Sequence, residues 1–207
     1  GSLNPHFFNY PTFHLYLVSA LYYLYFLLAS PESLEAFVAY RYFVDDHDLI
    51  ALARGLNTLL AVGTVAVTVH LGRRLYGEKG GWLAGLLLAV MPLHVRFSHL
   101  AITDVPATLW TSLALLWSVR LVQAPGRRSD ALVAGIFAGL AGATKYPACL
   151  ALAPVLAAAW WSGPHRLKNI GTAVAAALLA GALATPYMWL DWQQAWADLS
   201  TMGREHL

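Results

Sequence analysis

The chain has 207 residues, of which 58% are hydrophobic and only 12% are charged. That charged share is about half the usual value for soluble domains, and a soluble fold of this length could not bury so much apolar surface, so the composition predicts an integral membrane protein. The near balance of 13 Lys and Arg against 11 Asp and Glu argues against a nucleic-acid partner.

The first predicted element is an aromatic segment, residues 10–29, which is crowded with Tyr and Phe. Amphipathic aromatic side chains prefer the headgroup region, so we expect an interfacial helix here. Residues 1–48 would then form an outer-face loop containing this helix. If the segment crosses the membrane instead, the acidic turn at Asp45, Asp46 and Asp48 lies on the inner side.

Six apolar windows follow, and they predict an all-α, polytopic transmembrane helix bundle over residues 49–190. A crossing helix needs about 20 apolar residues. The windows are 49–75, 80–97, 105–122, 131–144, 147–161 and 170–187. Asp104 and Pro106 suit the N-terminus of the third helix, and Gly135, Gly139 and Gly142 suggest one packing stripe. Residues 191–207 are predicted to begin another outer-face loop of the same single domain.

Basic residues cluster in three short loops, and the positive-inside rule places these loops in the cytoplasm. The clusters are Arg73, Arg74 and Lys79; Arg127 and Arg128; and Arg166 and Lys168. The polar turns between them then share the non-cytoplasmic face. Asp104 and Lys145 are predicted on that face.

The outer face therefore collects most of the unusual polar residues, and ionisable groups near a bilayer usually line a wet cavity. These residues are His6, Asn9, Tyr10, Arg41, Asp45, Asp46, His47, Asp48, Arg54, His94, Arg96, His99, Asp104, Lys145, Tyr146 and Asp191. Simpler interpretations stay open: Arg54 snorkels to the headgroups, Asp104 caps a helix, and Lys145 anchors at the interface. The five-residue spacing of His94 and His99 disfavours a shared metal. The chain has no phosphate-binding loop, Ser-His-Asp set or Cys-x-x-Cys pair.

Four stretches carry a resemblance to a known family: NPHFFNYPTFHLYL, ARGLNTLLAVGTVAVTVHLGRRLYGEKGGWLAGLLLAVMP, HVRFSHLAITDVPATLW and GLAGATKYPACLALAP. In order and spacing the sequence resembles the polytopic glycosyltransferases of the GT-C superfamily. The similarity is to the bacterial protein-mannosyltransferase and aminoarabinose-transferase-like group, glycosyltransferase family 39 type. The resemblance implies a GT-C-like fold in the bacterial inner membrane.

The resemblance also implies a reaction on the outer face of that membrane. Such enzymes move a sugar from a polyprenyl-phosphate carrier to a lipid, glycan or protein acceptor. A carboxylate takes the acceptor proton, and cations hold the phosphate as charge develops on it. The family's main catalytic Asp would lie before Gly1, so we expect a fragment that is inactive in isolation.

Site residues follow from the same resemblance. Asp104 matches the acidic position of the second outer loop, with a role in orienting acceptor or sugar. Lys145 matches a basic position facing the cavity and would contact the phosphate, with Arg54 and Arg96 as second choices. Tyr146 and His99 complete the predicted substrate-binding set.

The chain departs from this family at one motif. Aminoarabinose transferases have Glu-Lys-Pro-Pro where this chain has Phe-Asn-Tyr-Pro, ending at Pro11. His6 and Asn9 are the candidate replacements for the missing acidic and basic pair. A divalent metal therefore stays open as a cofactor, without assigned ligands.

Two other functions explain part of the pattern. A secondary transporter of a small anionic or polar solute also has broken helices, and Lys145-Tyr146-Pro147 would be its substrate site. Against it, the charges concentrate at one face and not at the bilayer midplane. A non-catalytic membrane scaffold explains the spans but gives the polar cluster no purpose.

Overall fold

A computed structural model describes residues 3–29, 33–124 and 127–205 of the chain. These residues form helices and connecting turns, with no strand among them, so the predicted all-α membrane bundle is confirmed. The helices are α1 (Phe13–Ala29), α2 (Leu34–Phe43), α3 (His47–Val90), α4 (Pro92–Ser98), α5 (Asp104–Gln123), α6 (Arg128–Thr144), a 3₁₀ helix (Tyr146–Ala151), α7 (Leu152–Trp161), α8 (Arg166–Ala184), α9 (Tyr187–Leu190) and α10 (Trp192–Glu205).

The long helix α3 is a hairpin of two antiparallel arms. The chain reverses at Gly77, whose φ of 75° lies in the left-handed region that glycine adopts without a side-chain clash. The arms then pack with glycines at their contact, since a Cβ on Gly81 would overlap the backbone of Arg73 and one on Gly85 would overlap Val69. The basic turn predicted between residues 75 and 80 is this reversal.

The predicted span 80–97 is formed by two helical pieces, the second arm of α3 and α4. The break falls at Met91, which has an extended conformation with φ −65° and ψ 120°. Pro92 explains the break, because a proline has no N–H for the helical ladder and disfavours helical dihedrals in the residue before it.

Helices α5 to α8 pack around a core of small side chains, chiefly Ala114, Ala134, Ala138, Ala141, Ala151, Val155 and Ala173. Gly135 and Gly139 lie directly against the backbone of Ala173 and Ala177, so α6 and α8 approach closely. All three glycines of the predicted stripe are packed, but not against the same element. Gly142 faces Cys149 of the 3₁₀ helix, because the chain turns back at Lys145.

By length and composition, α3, α5 and α8 are the single helices in the described ranges that qualify as membrane spans. Residues 146–161 form a shorter apolar segment of the same bundle, and α6, with 17 residues, is also shorter than the about 20 residues of a full span. Helices α1 and α2 together are apolar enough for one crossing, but they are bent by 112°, as in a broken span or re-entrant loop. The interfacial position of α1 stays a prediction.

The two ends of the bundle differ in chemistry. One end, named here the basic end, joins the α3 turn to the α5–α6 and α7–α8 turns, through Arg74–Gln123, Arg120–Asp130 and Arg128–Thr172 contacts. The opposite end, named the Asp104 end, holds the start of α5, the end of α6 and both terminal segments. The bundle therefore separates the arginine-rich turns from Asp104 and Lys145.

Candidate functional site

Asp104 and Lys145 form an ion pair at the Asp104 end. Lys145 Nζ lies 2.6 Å from Asp104 Oδ1, and the two side chains are 31% and 37% exposed. Helix α5 begins at Asp104 itself, while Thr103 occupies the N-cap position without a side-chain capping bond. The carboxylate of Asp104 is therefore directed to α6 and does not serve as the cap of its own helix.

The turn after α6 explains how Lys145 reaches α5. Pro147 has no N–H to continue the α6 ladder, and Lys145 takes an extended conformation with φ −152° and ψ 126°. A partly exposed pair of this kind contributes about 0–1 kcal/mol to stability. Its chemistry is more informative: the ammonium has three N–H donors, so donors remain for a phosphate, and the carboxylate accepts from a hydroxyl.

Tyr146 joins this pair to the N-terminal segment. Its phenol donates to the carbonyl of Phe8 at 2.7 Å, and the Phe8 side chain is fully buried. The N–H of Phe8 donates to Asp198 Oδ2 on α10 at 2.8 Å. Tyr146 was predicted to bind substrate, and the structure gives its hydroxyl a partner within the protein.

His6 lies on the same N-terminal segment and is 66% exposed. Its φ of 49° is left-handed, a conformation supported by the bond from the His6 N–H to Asn4 Oδ1. The Asp191 carboxylate accepts from Asn4 Nδ2 at 2.7 Å and lies 3.4 Å from His6 Nδ1. Asn9 follows on the exposed side of the segment.

Three other predicted site residues, Arg54, Arg96 and His99, are exposed on α3, on α4 and just after α4. Among the described residues, no hydrogen bond or ion pair joins their side chains to Asp104 or Lys145. The structure therefore does not bring them into direct contact with the pair. Their assignment to the substrate site stays a prediction.

Sequence reasoning missed two residues that organise this end. Asn57 is fully buried on the first arm of α3, and its Nδ2 donates to the carbonyls of Leu100 and Ile102, just before Asp104. Asp198 binds Phe8 from α10. In the sequence, the sign that Asn57 has a structural role is that its amide stands in a largely apolar window. For Asp198, the sign is its seven-residue spacing from Asp191, which is about two helical turns.

The Asp104–Lys145 pair does not fit a divalent metal ion. Such ions take about six oxygen ligands, whereas Asp104 faces an ammonium group that repels cations. Asp45, Asp46 and His47 do place ligand atoms within 4.8 Å of one another, but Asp46 and His47 are exposed. The His47 N–H and ring already bind Asp45, and these hydrogen bonds hold the Asp45 pKa below its usual value.

Comparison with known proteins gives one family. A family model described as dolichyl-phosphate-mannose-protein mannosyltransferase matches residues 47–189, from the start of α3 to α9. The match includes both Asp104 and Lys145. No curated protein and no solved structure matches the chain.

Proposed function

The chain belongs to the dolichyl-phosphate-mannose-protein mannosyltransferase family, and from that premise we propose that it transfers a sugar from a polyprenyl-phosphate donor to a lipid, glycan or protein acceptor at the Asp104 end of the bundle. Membership makes it a membrane glycosyltransferase of the GT-C type. The donor, the acceptor and the location of the site belong to the proposal.

The observation that carries this proposal is the Asp104–Lys145 pair. Both residues are partly exposed, so both are accessible to a ligand, and they lie 2.6 Å apart at one end of the apolar bundle. A polyprenyl-phosphate donor has its phosphate at the membrane surface and its hydrocarbon in the bilayer. A cation beside a carboxylate at the end of a span fits both the phosphate and an acceptor hydroxyl.

In the proposed reaction, the acceptor oxygen attacks the anomeric carbon while its proton passes to a carboxylate base. The bond between the anomeric carbon and the phosphate oxygen breaks, and the lipid phosphate leaves with the bonding electrons. Lys145 neutralises the charge that develops on the phosphate, for which its remaining N–H donors are available. Asp104 accepts a hydrogen bond from the acceptor or the sugar and so orients it. Donor binding would shift Lys145 from Asp104 toward the phosphate and free the carboxylate for that role.

The proposal places the Asp104 end on the non-cytoplasmic face of the bacterial inner membrane. Support comes from the arginine-rich turns at the opposite end, because basic loops are retained in the cytoplasm. Family membership favours a transferase over a transporter or a scaffold, both of which would explain the helices equally well.

Two substitutions in the full-length protein, in membranes, test the proposal with labelled polyprenyl-phosphate mannose as donor. We expect Lys145→Ala to raise the donor KM at least about tenfold, the effect of losing a charge-assisted bond. We expect Asp104→Asn to lower kcat about 10²-fold with a smaller change in donor KM, as for a misplaced reactant.

Glu78→Gln is the matched control, because it removes an exposed ion pair with Arg73 at the basic end. It should leave both constants unchanged. Unaltered KM and kcat in Lys145→Ala would remove Lys145 from the site. A loss of folded protein in Asp104→Asn that matches the loss of activity would assign Asp104 a structural role instead.

A further inference from the structure

Residues 4–8 lie along helix α10, although more than 180 residues separate the two segments in sequence. We name residues 4–8 the strap. Every second residue of the strap contacts α10 or the residue before it. Asn4 and His6 contact Asp191, and Phe8 donates its N–H to Asp198. Alternating contacts are typical of a non-helical segment laid against a surface.

The spacing of the two carboxylates matches the reach of the strap. Asp191 immediately precedes α10, and Asp198 lies seven residues further, so the two residues are about two helical turns, or about 10 Å, apart along the helix. Four residues of chain span at most about 13 Å. The strap therefore bridges the two carboxylates without distortion of α10.

Phe8 is held from two sides. Asp198 accepts from its N–H, the Tyr146 phenol donates to its carbonyl, and its ring is fully buried. Tyr146 adjoins Lys145, which is paired with Asp104. The same residue thus connects α10 to the turn that carries the candidate site.

We propose that Asp198 and Tyr146 are positioning residues that clamp Phe8 and so fix the strap, with its neighbour Asn9 and with His6, beside the Asp104–Lys145 pair. This inference rests on the proposed function for the identity of that pair as the substrate site. Neither positioning residue takes part in the transfer itself. A clamped strap binds substrate more tightly, because the binding-competent arrangement is populated before the substrate arrives.

The clamp is tested by hydrogen exchange at the Phe8 amide in the full-length protein in detergent. Loss of a hydrogen bond to a charged group changes an opening equilibrium at least about tenfold, so we expect Asp198→Ala to speed exchange by at least that factor. Asp198→Asn keeps an acceptor oxygen and should retain the protection. Thr201→Ala is the control on α10, since its hydroxyl binds the carbonyl of Ala197 within the same helix.

The positioning role is tested by kinetics with polyprenyl-phosphate mannose. Asp198→Ala and Tyr146→Phe should each raise the donor KM about fivefold with less change in kcat. In the double variant, the donor KM should rise by less than the product of the two single-variant increases, because both residues hold Phe8. Asp198→Asn should have a donor KM close to that of the wild-type protein and lower than that of Asp198→Ala.

Unchanged exchange at Phe8 in Asp198→Ala would overturn the clamp. Faster exchange with unaltered KM and kcat would overturn the positioning role and leave the strap purely structural. A wild-type protein that does not use this donor would count against the proposed function, while the exchange measurement would still decide the clamp.

Discussion

Asn57 connects the first arm of α3 to the turn that precedes Asp104. Its side chain is fully buried, and its two N–H groups satisfy the carbonyls of Leu100 and Ile102. Thr58 adds a bond to the carbonyl of Ser98 at 3.1 Å. These contacts fix a turn that has no regular structure of its own, so the position of Asp104 depends on a fully buried amide.

Replacement of Asn57 by Leu should destabilise the protein, although the side-chain volume is kept. Two backbone carbonyls would lose their donors, at a cost of about 1–3 kcal/mol. The apparent Tm in detergent measures this loss. Thr68→Ala is the control, because its hydroxyl binds only Thr64 of the same arm. Equal Tm values for the two variants would contradict the role given to Asn57.

For single residues, the sequence indicates which side chains are candidates for a functional site but not which of them are in contact. Asp104 and Lys145 stand out because charges are rare near apolar windows. Their contact joins residues 41 positions apart, and neither helical periodicity nor loop charge determines the rotation of α5 against α6. Tyr146 is a similar case, since the hydroxyl predicted to bind substrate is used to hold Phe8.

Helices α6 and α8 approach each other closely. Gly135 and Gly139 are one helical turn apart, and each lies against a backbone carbonyl of α8. In lipid, where apolar side chains gain little by leaving the solvent, such close packing is a main source of helix association. Helix α6 ends at Thr144, next to Lys145, so this contact also supports the candidate site.

Gly139→Ala should destabilise the bundle by about 1–3 kcal/mol, because the new Cβ meets the backbone of Ala177, which has no flexible end to move. Gly171→Ala on α8 is the matched control, since nothing lies within 4 Å of a Cβ there. That variant should be stabilised by up to about 1 kcal/mol through helix propensity. Thermal unfolding in detergent compares them, and the same sign of change in both would refute the packing argument.

Helix boundaries were predictable where a chemical signal marks them. The basic, glycine-containing turn near Gly77 and the proline after Lys145 both mark reversals of the chain. The break at Met91 was not predicted, although Pro92 was visible in the sequence. Hydropathy does not change at a proline, so the apolar window looks continuous there. Only the helical hydrogen-bond ladder is interrupted, and hydropathy does not report on that ladder.

Across the whole molecule, the charge pattern along the chain accounts for the separation of the two ends, but not for the contact between the strap and α10. The strap meets α10 across 190 residues, and no local pattern encodes a contact of that range. The family match from 47 to 189 stops short of both the strap and Asp198. The contacts of the strap and Asp198 at the candidate site are therefore seen in the tertiary structure, and neither the local sequence nor the family match indicates them.

The arrangement of the ends predicts the orientation of the protein in the membrane. Arg73, Arg74 and Lys79 lie at the basic end, and such turns are retained in the cytoplasm, so α10 at the other end should be outside. In a Cys149→Ala background, a membrane-impermeant maleimide added to intact cells should label Gln193→Cys and not Glu78→Cys. Both positions are exposed, so accessibility of the side chain does not decide the result. Labelling of both after permeabilisation shows that each cysteine reacts. The reverse pattern in intact cells would place the Asp104–Lys145 pair in the cytoplasm, away from any donor on the outer leaflet.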